Sequence, residues 1–203
     1  MPGMISPSCK RPARRWHADF RVRIMQRILV MGASGSGKST FAQRLSLITG
    51  IPMVSLDALY WKPGWTPSDA TEFEAHATEA AHQPRWIMDG NYTSSGAGDL
   101  RRSTADAVFW FDLPRRICMT GILARIATSY GRVRPEMAPG CPERLDVEFF
   151  RYVWTYRRLQ RPKLLQYFEG LRPDQALICF TARAQADRYL TNVTPAVRAE
   201  SVH

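Results

Sequence analysis

The chain has 203 residues and a formal net charge of +10, with 45% hydrophobic and 23% charged residues. This composition is typical of one globular domain and argues against a largely disordered chain, and no apolar run is long enough to span a bilayer. The four cysteines form no C-x-x-C pair, which argues against a disulfide framework or a zinc site and predicts reduced thiols in the cytoplasm.

The first segment, residues 1–24, contains proline and arginine and shows no apolar period. Because residues 1–27 carry seven Lys/Arg against a single Asp, a nucleic-acid-binding arm and a targeting peptide are alternatives for this segment. The plainer interpretation is a disordered tail, or a start codon placed too early, with Met25 as the true first residue. We therefore predict a tail over 1–24, one domain over 25–192 and a second tail over 193–203.

Strand and helix patterns alternate through the domain. The strand patterns cover residues 28–31, 53–56, 86–88, 108–111 and 176–180. The helical patterns cover residues 38–48, 68–82, 115–130, 146–168 and 183–190. Five strands separated by helices predict a parallel sheet with helices on both faces, and ligands are expected at the carboxyl ends of its strands.

A glycine-rich loop joins the first strand to the first helix. Its sequence, GASGSGKST over residues 32–40, fits the pattern G-x-x-x-x-G-K-[ST], in which backbone N–H groups and the positive helix N-terminus surround phosphate oxygens. Lys38 adds a positive charge at the β- and γ-phosphates, and the Ser39 hydroxyl suits Mg²⁺. The predicted nucleotide-binding residues of this loop are Gly32, Ser34, Gly35, Ser36, Gly37, Lys38, Ser39 and Thr40. We predict that ATP and Mg²⁺ bind here, and GTP is left open as the donor.

Three further segments, together with this loop, make the sequence resemble a known family. They read LDALYWKPGW at 56–65, WIMDGNY at 86–92 and RPEMAPGCPER at 134–144. The chain resembles, over about residues 27–190, the adenylate-kinase-related P-loop proteins labelled "topology modulation protein". The resemblance implies a three-layer α/β P-loop NTPase, similar to nucleoside monophosphate kinases, with a five-stranded parallel sheet and a lid at about 130–146.

Two acidic residues at the ends of strands are predicted to take part in catalysis. Asp89 resembles the aspartate with which nucleoside monophosphate kinases hold Mg²⁺, and Asp57 could accept a proton from an attacking hydroxyl or join the metal ligands. A turn-stabilising role is the alternative for both. Where adenylate kinases read DGFPR, this chain reads DGNY after Met88, and the missing arginine argues against an AMP-like acceptor. Trp61 and Trp65 could stack on an acceptor or pack in a small separate core.

Arginines beyond the fourth strand complete the predicted site. Residues 115–172 carry twelve Lys/Arg against five Asp/Glu. Arg125 resembles the nucleotide-binding arginine that precedes the lid in these kinases, and Arg132 and Arg134 belong to the lid, where cations stabilise the transferring phosphoryl group. A solvated basic loop is the alternative for the lid. Arg183 follows the last strand, where the base of ATP is commonly held. The predicted catalytic residues are Lys38, Asp57, Asp89, Arg125, Arg132 and Arg134.

These observations predict an ATP-dependent phosphotransferase that acts on a small nucleoside- or nucleotide-like acceptor. The alternative is a nucleotide-dependent DNA- or RNA-binding protein without kinase activity, for which the tail and residues 115–172 would supply the positive charge. Nucleic acid is the less favoured partner, no membrane partner is expected, and the sequence leaves the oligomeric state open.

Overall fold

The computed structural model describes residues 25–134 and 136–193. In chain order its elements are β1 (Arg27–Gly32), α1 (Lys38–Thr49), β2 (Met53–Ser55), α2 (Leu56–Tyr60), β3 (Trp61–Lys62), β4 (Thr66–Pro67), α3 (Ala70–His82), β5 (Trp86–Asp89), α4 (Gly98–Thr104), β6 (Ala107–Phe111), α5 (Arg115–Ser129), α6 (Val147–Leu159), α7 (Arg161–Glu169), β7 (Ala176–Phe180) and α8 (Arg183–Thr191). The predicted tail over 1–24, and all of the second tail except Val193, lie outside the described residues.

A five-stranded sheet in the order β2-β5-β1-β6-β7 forms the centre of the fold, and all of its strand pairs are parallel. β1 lies between β5 and β6, with Val30 beside Asp89 on one side and beside Phe109 on the other. The parallel pairing brings the carboxyl ends of all five strands to one edge. The predicted sheet is therefore confirmed.

Helices cover both faces of this sheet. The side chains of β6 point alternately to one face and the other, and the apolar side chains on each face pack against a helix. Phe109 and Phe111 meet the ring of Phe41 in α1, at centroid distances of 5.0 and 5.4 Å. Trp110, between them, meets Phe168 of α7 at 5.2 Å. All five residues are buried. The fold is the predicted three-layer α/β arrangement.

The structure differs from the predicted elements in two respects. The single helix predicted over 146–168 is two helices, α6 and α7, which meet at Gln160. Pro162, in the first turn of α7, has no N–H to continue the ladder of α6, so a new helix starts there. The sequence patterns also missed the short helices α2 and α4 and the antiparallel β3–β4 hairpin. Leu56, predicted as the last residue of a strand, is instead the first residue of α2. The Ser55 hydroxyl caps this helix by accepting a hydrogen bond from the Ala58 N–H at 3.3 Å.

Residues 130–146, called the lid segment below, connect α5 to α6. Apart from Pro135, the structure describes all of this segment. Isolated bridges join Tyr130 to Glu143 and Val133 to Pro142, so the segment folds back on itself. Within the described part of the chain, no helix is both long enough and apolar enough to cross a membrane.

Candidate functional site

The loop after β1 requires glycine at two positions. Gly35 and Gly37 have φ values of +76° and +97°, in the left-handed region, and a Cβ atom on Gly35 would lie 2.2 Å from the carbonyl oxygen of Cys118. Gly37 is the N-cap of α1, so Lys38 is the first residue of that helix. Loop residues 34–40 line a cavity of about 940 Å³ together with Phe41. The positive N-terminus of α1 therefore lies at the wall of this cavity.

Gly32 is placed differently from the rest of the loop. It does not line the cavity. Instead its N–H donates to Asn91 Oδ1 at 2.9 Å, and Asn91 Nδ2 donates to the Gly32 carbonyl at 3.0 Å. Asn91 therefore fixes the start of the loop to the segment after β5. Sequence reasoning missed this role, although Asn91 stands in the DGNY segment that carried the family resemblance.

Lys38 and Asp89 form a buried ion pair. Lys38 Nζ lies 3.3 Å from Asp89 Oδ1, and the two side chains are 10% and 4% exposed. Burial alone would lower the pKa of Lys38, but the charges of Asp89 and Asp57 and a hydrogen bond to Asp89 raise it above its usual value, so the ammonium stays charged. Burial raises the pKa of Asp89, and the opposing effect of Lys38 is weaker. The carboxyl group therefore depends on neighbouring cations to ionise.

The oxygen atoms around this pair fit a magnesium ion and a phosphate chain. The Ser39 hydroxyl interacts with the Asp89 carboxyl group, so two oxygen donors of the kind that Mg²⁺ prefers are neighbours. Ser36 Oγ is buried and has no hydrogen-bond partner within the described residues, whereas Asp89 Oδ1 has the Lys38 ammonium at 3.3 Å. Unsatisfied buried polar atoms are rare in native proteins. A phosphate oxygen would satisfy the Ser36 hydroxyl, and a hard cation would suit the neighbouring Ser39 and Asp89 oxygens.

Asp57 lies in the first turn of α2 and lines the same cavity. The Tyr92 hydroxyl donates a hydrogen bond of 2.9 Å to Asp57 Oδ1, which holds the carboxylate in one orientation. Burial, with the charge of Asp57, raises the pKa of Tyr92, so the phenol remains a neutral donor. Asp57 thus keeps a second oxygen for other contacts. Tyr92 was missed in the sequence because only the folded chain brings it beside Asp57.

Two of the predicted arginines line the cavity and are held by a buried carboxylate. Arg125 donates from Nε and Nη2 to Glu143 Oε1, at 3.0 and 2.7 Å. Arg134 Nε lies 3.0 Å from Glu143 Oε2, and its Nη1 lies 2.7 Å from Glu136 Oε1. The Glu143 side chain is only 4% exposed. Glu143 therefore joins the two arginines, and neither it nor Glu136 was singled out in the sequence.

The other two predicted arginines differ in their surroundings. Arg132 is exposed, does not line the cavity, and its side chain has no hydrogen bond or ion pair within residues 25–134 and 136–193. Its catalytic role stays a prediction. Arg183 lines the cavity and donates to the carbonyl oxygens of Gly35 at 2.6 Å and Ser36 at 3.3 Å. It braces the phosphate loop, and its contact with the base of ATP stays a prediction.

The lid segment packs on the β3–β4 hairpin. The Gly64 N–H donates to the Gly140 carbonyl at 2.8 Å, and Trp65 Nε1 donates to the Pro142 carbonyl at 3.0 Å. Trp61 and Trp65 also pack against a buried lid cluster of Met137, Ala138 and Cys141. Both tryptophans line the cavity as well. The small separate core predicted for them is present, and their contact with an acceptor stays a prediction.

No protein-family model matches the sequence, and no curated protein matches it either. Solved structures with a similar arrangement include a gluconokinase from Sinorhizobium meliloti 1021, with 17% identity, 84% of this chain and 90% of that chain covered, and a TM-score of 0.49. A shikimate kinase from Acinetobacter baumannii in complex with shikimate has 15% identity, coverage of 83% and 92%, and a TM-score of 0.49. A sugar kinase from Janibacter sp. HTCC2649 has 18% identity, coverage of 82% and 91%, and a TM-score of 0.44.

Proposed function

We propose that the protein is a cytoplasmic P-loop phosphotransferase that moves the γ-phosphoryl group of ATP to a small, nucleoside- or nucleotide-like acceptor. The observation that carries the proposal is that Lys38 and Asp57 line one cavity. Lys38 belongs to a phosphate-binding loop, and Asp57 is a carboxylate in the first turn of α2 that Tyr92 holds in place. A donor site and a candidate base therefore face the same space. The resemblance to the topology modulation group agrees with this chemistry and leaves the acceptor open.

The residues divide the work of transfer between them. Backbone N–H groups of the loop and the Lys38 ammonium hold the β- and γ-phosphates. Mg²⁺, when held by Ser39 and Asp89, would neutralise part of the phosphate charge. Asp57 orients an acceptor hydroxyl and takes its proton as the new oxygen–phosphorus bond forms and the bond between the γ-phosphorus and the β-bridging oxygen breaks. ADP and the phosphorylated acceptor are the products. Arg125 and Arg134 offset the charge at the transferring group.

Arg101 bears on the nature of the acceptor. It is the first arginine after the DGNY segment and is fully buried. Its guanidinium donates to three carbonyl oxygens of the loop after β5, those of Tyr92, Ser95 and Gly96. These bonds stabilise the loop and leave Arg101 out of the cavity lining. Arg101 is therefore not placed to hold an acceptor phosphate in the cavity. An acceptor that presents a hydroxyl group, such as a nucleoside, fits this arrangement better.

Two measurements test the proposal in sequence. Calorimetry should show that Mg·ATP binds the wild-type protein and that Lys38→Ala weakens this binding strongly. Transfer of label from γ-³²P-ATP should then be measured across a panel of nucleosides, nucleotides and sugars, with Asp57→Asn as the matched variant. We expect Asp57→Asn to retain ATP binding and lose transfer. Absence of Mg·ATP binding, or hydrolysis without transfer to any panel member, would contradict the proposal.

A further inference from the structure

A second concave surface lies where the start of α5 meets the last turn of α6. Its cavity is about 530 Å³, and it is lined by Pro114, Arg115, Arg116, Trp154, Arg157 and Arg158. The cavity that contains the phosphate loop shares none of these residues. The proposed phosphotransferase reaction assigns them no role. We call this surface the arginine cavity.

The arginine cavity concentrates positive charge in an unfavourable arrangement. Arg115 and Arg116 occupy the first turn of α5, which contains no acidic residue. The helix dipole already makes this end positive, so cations here are destabilising. Arg157 and Arg158 approach from the last turn of α6. Four guanidinium groups therefore surround one recess.

No carboxylate compensates this charge in the part of the chain that the structure describes. Within residues 25–134 and 136–193, none of the four arginines has an ion pair with Asp or Glu. Asp112 precedes α5 by three residues, but its carboxylate accepts three hydrogen bonds of 2.8–3.1 Å from Arg161. Mutual repulsion of the four guanidinium groups would be relieved by a bound anion.

Trp154 gives the cavity a preorganised wall. The Arg115 guanidinium lies 3.7 Å from the centroid of the Trp154 ring, and Arg115 Nη1 donates to the Trp154 carbonyl at 3.5 Å. Trp154 itself is 54% exposed. Arg115 is thus held in place before any ligand arrives, and the guanidinium fork matches the geometry of phosphate oxygens. An exposed aromatic ring beside such arginines also suits stacking of a nucleic-acid base.

We propose that the arginine cavity is a second phosphate-binding site, for a ligand that carries at least two phosphate groups. Such groups could come from a nucleic-acid strand or from a free polyphosphate. α5, whose first turn lines the arginine cavity, also contacts the phosphate loop and Arg183. The Ile117 carbonyl accepts a hydrogen bond from Arg183 at 3.2 Å, and the Cys118 carbonyl lies against Gly35. A ligand at Arg115 and Arg116 would therefore bind within one helical turn of the residues that shape the loop.

The test uses the full-length protein, with and without Lys38→Ala, and two phosphate probes. A fluorescent oligothymidylate reports strand binding by anisotropy, and inorganic tripolyphosphate is titrated by calorimetry. Arg116→Gln and Arg157→Gln are compared with Arg188→Gln, which removes one exposed arginine from α8. We expect each of the two cavity variants to weaken binding about three- to tenfold, and to lower the salt slope for the strand by about 0.7. Arg188→Gln and Lys38→Ala should leave binding at this site unchanged.

Each outcome decides the question. Strand binding that depends on Arg116 and Arg157 identifies nucleic acid as the source of the phosphates. Tripolyphosphate binding with the same dependence, and no strand binding, identifies a free polyphosphate. Absence of both, or binding that Arg188→Gln weakens as much as Arg157→Gln does, overturns the proposal. Binding that only Lys38→Ala removes assigns the phosphate to the first cavity and also overturns it. Kinase activity enters none of these readouts, so the proposal can fail or hold independently of the proposed function.

Discussion

The substitution Glu143→Gln tests whether the buried contacts of Glu143 with Arg125 and Arg134 stabilise the lid segment. The buried carboxylate of Glu143 receives Arg125 on one oxygen and Arg134 on the other. Glu143→Gln keeps the shape of the side chain and removes the charge. The amide oxygen can still accept from Arg125, but the amide nitrogen then faces a guanidinium N–H of Arg134, so that ion pair is lost. Two partly buried cations remain without their shared counter-charge.

The size of the effect follows from these contacts. Removing one partner of a buried ion pair destabilises a protein by about 3–5 kcal/mol. Arg134 retains Glu136 at 2.7 Å, and Arg125 retains the Phe149 ring at 5.4 Å. The two arginine side chains are also 16% and 22% exposed, so solvent screens part of the charge. We therefore expect a loss of about 2–3 kcal/mol, or roughly 4–12 °C in Tm for a domain of this size.

Urea unfolding followed by circular dichroism measures this loss, and limited proteolysis reports on the lid segment itself. Glu72→Gln is the matched control because its ion pair with Lys62 is about 40% exposed on both sides, at 44% and 39%. Exposed pairs contribute about 0–1 kcal/mol, so this variant should unfold nearly as the wild type does. If Glu143→Gln loses no more stability than Glu72→Gln, and its lid segment is cleaved no faster, the buried junction does not stabilise the lid.

Three further predictions follow from the site. Asp57→Asn should lower kcat for phosphoryl transfer by about 10²–10⁴-fold with little change in KM for ATP, whereas Tyr92→Phe should cause a smaller loss; steady-state kinetics distinguishes the two. Burial raises the pKa of Asp89, and the protonated carboxyl group cannot bind Mg²⁺. As the pH is lowered, Mg·ATP affinity should therefore fall with a midpoint above the ordinary carboxyl pKa of about 3.9. Calorimetry at several pH values should show this step in the wild type and not in Asp89→Asn. Gly35→Ala forces a Cβ atom to 2.2 Å from the Cys118 carbonyl at a φ of +76°, so we expect a loss of at least about 2 kcal/mol in urea unfolding and weaker Mg·ATP binding.

Local patterns were sufficient for the sheet and the phosphate loop. β1 beyond Arg27 and all of β6 are continuous buried apolar runs, and the loop motif fixes its own turn through Gly35 and Gly37. The break at Gln160 was not predicted, although Pro162 inside the helical pattern was a local signal for it. Short helices such as α2 escape periodicity because five residues complete little more than one turn.

The contacts that organise the site depend on residues distant in sequence, and for that reason they were not predicted. Asn91 reaches Gly32 because the register places Val30 beside Asp89. Glu143 reaches Arg125 across 18 positions of the chain. A single sequence gives no signal for either pair, since Asn91 and Glu143 are residue types that are also common in solvated loops. Such pairings become visible only in the folded chain.

The packing of the lid segment on the β3–β4 hairpin constrains how the cavity can exchange its contents. The Gly64–Gly140 and Trp65–Pro142 hydrogen bonds join the two walls. Any widening must either carry both walls outward as one body or break these bonds, at about 0.5–1.5 kcal/mol each. In the first case, one opening motion makes the cavity accessible to both reactants at the same time. In the second, one wall opens alone and imposes an order of entry and exit, which product-inhibition kinetics would reveal.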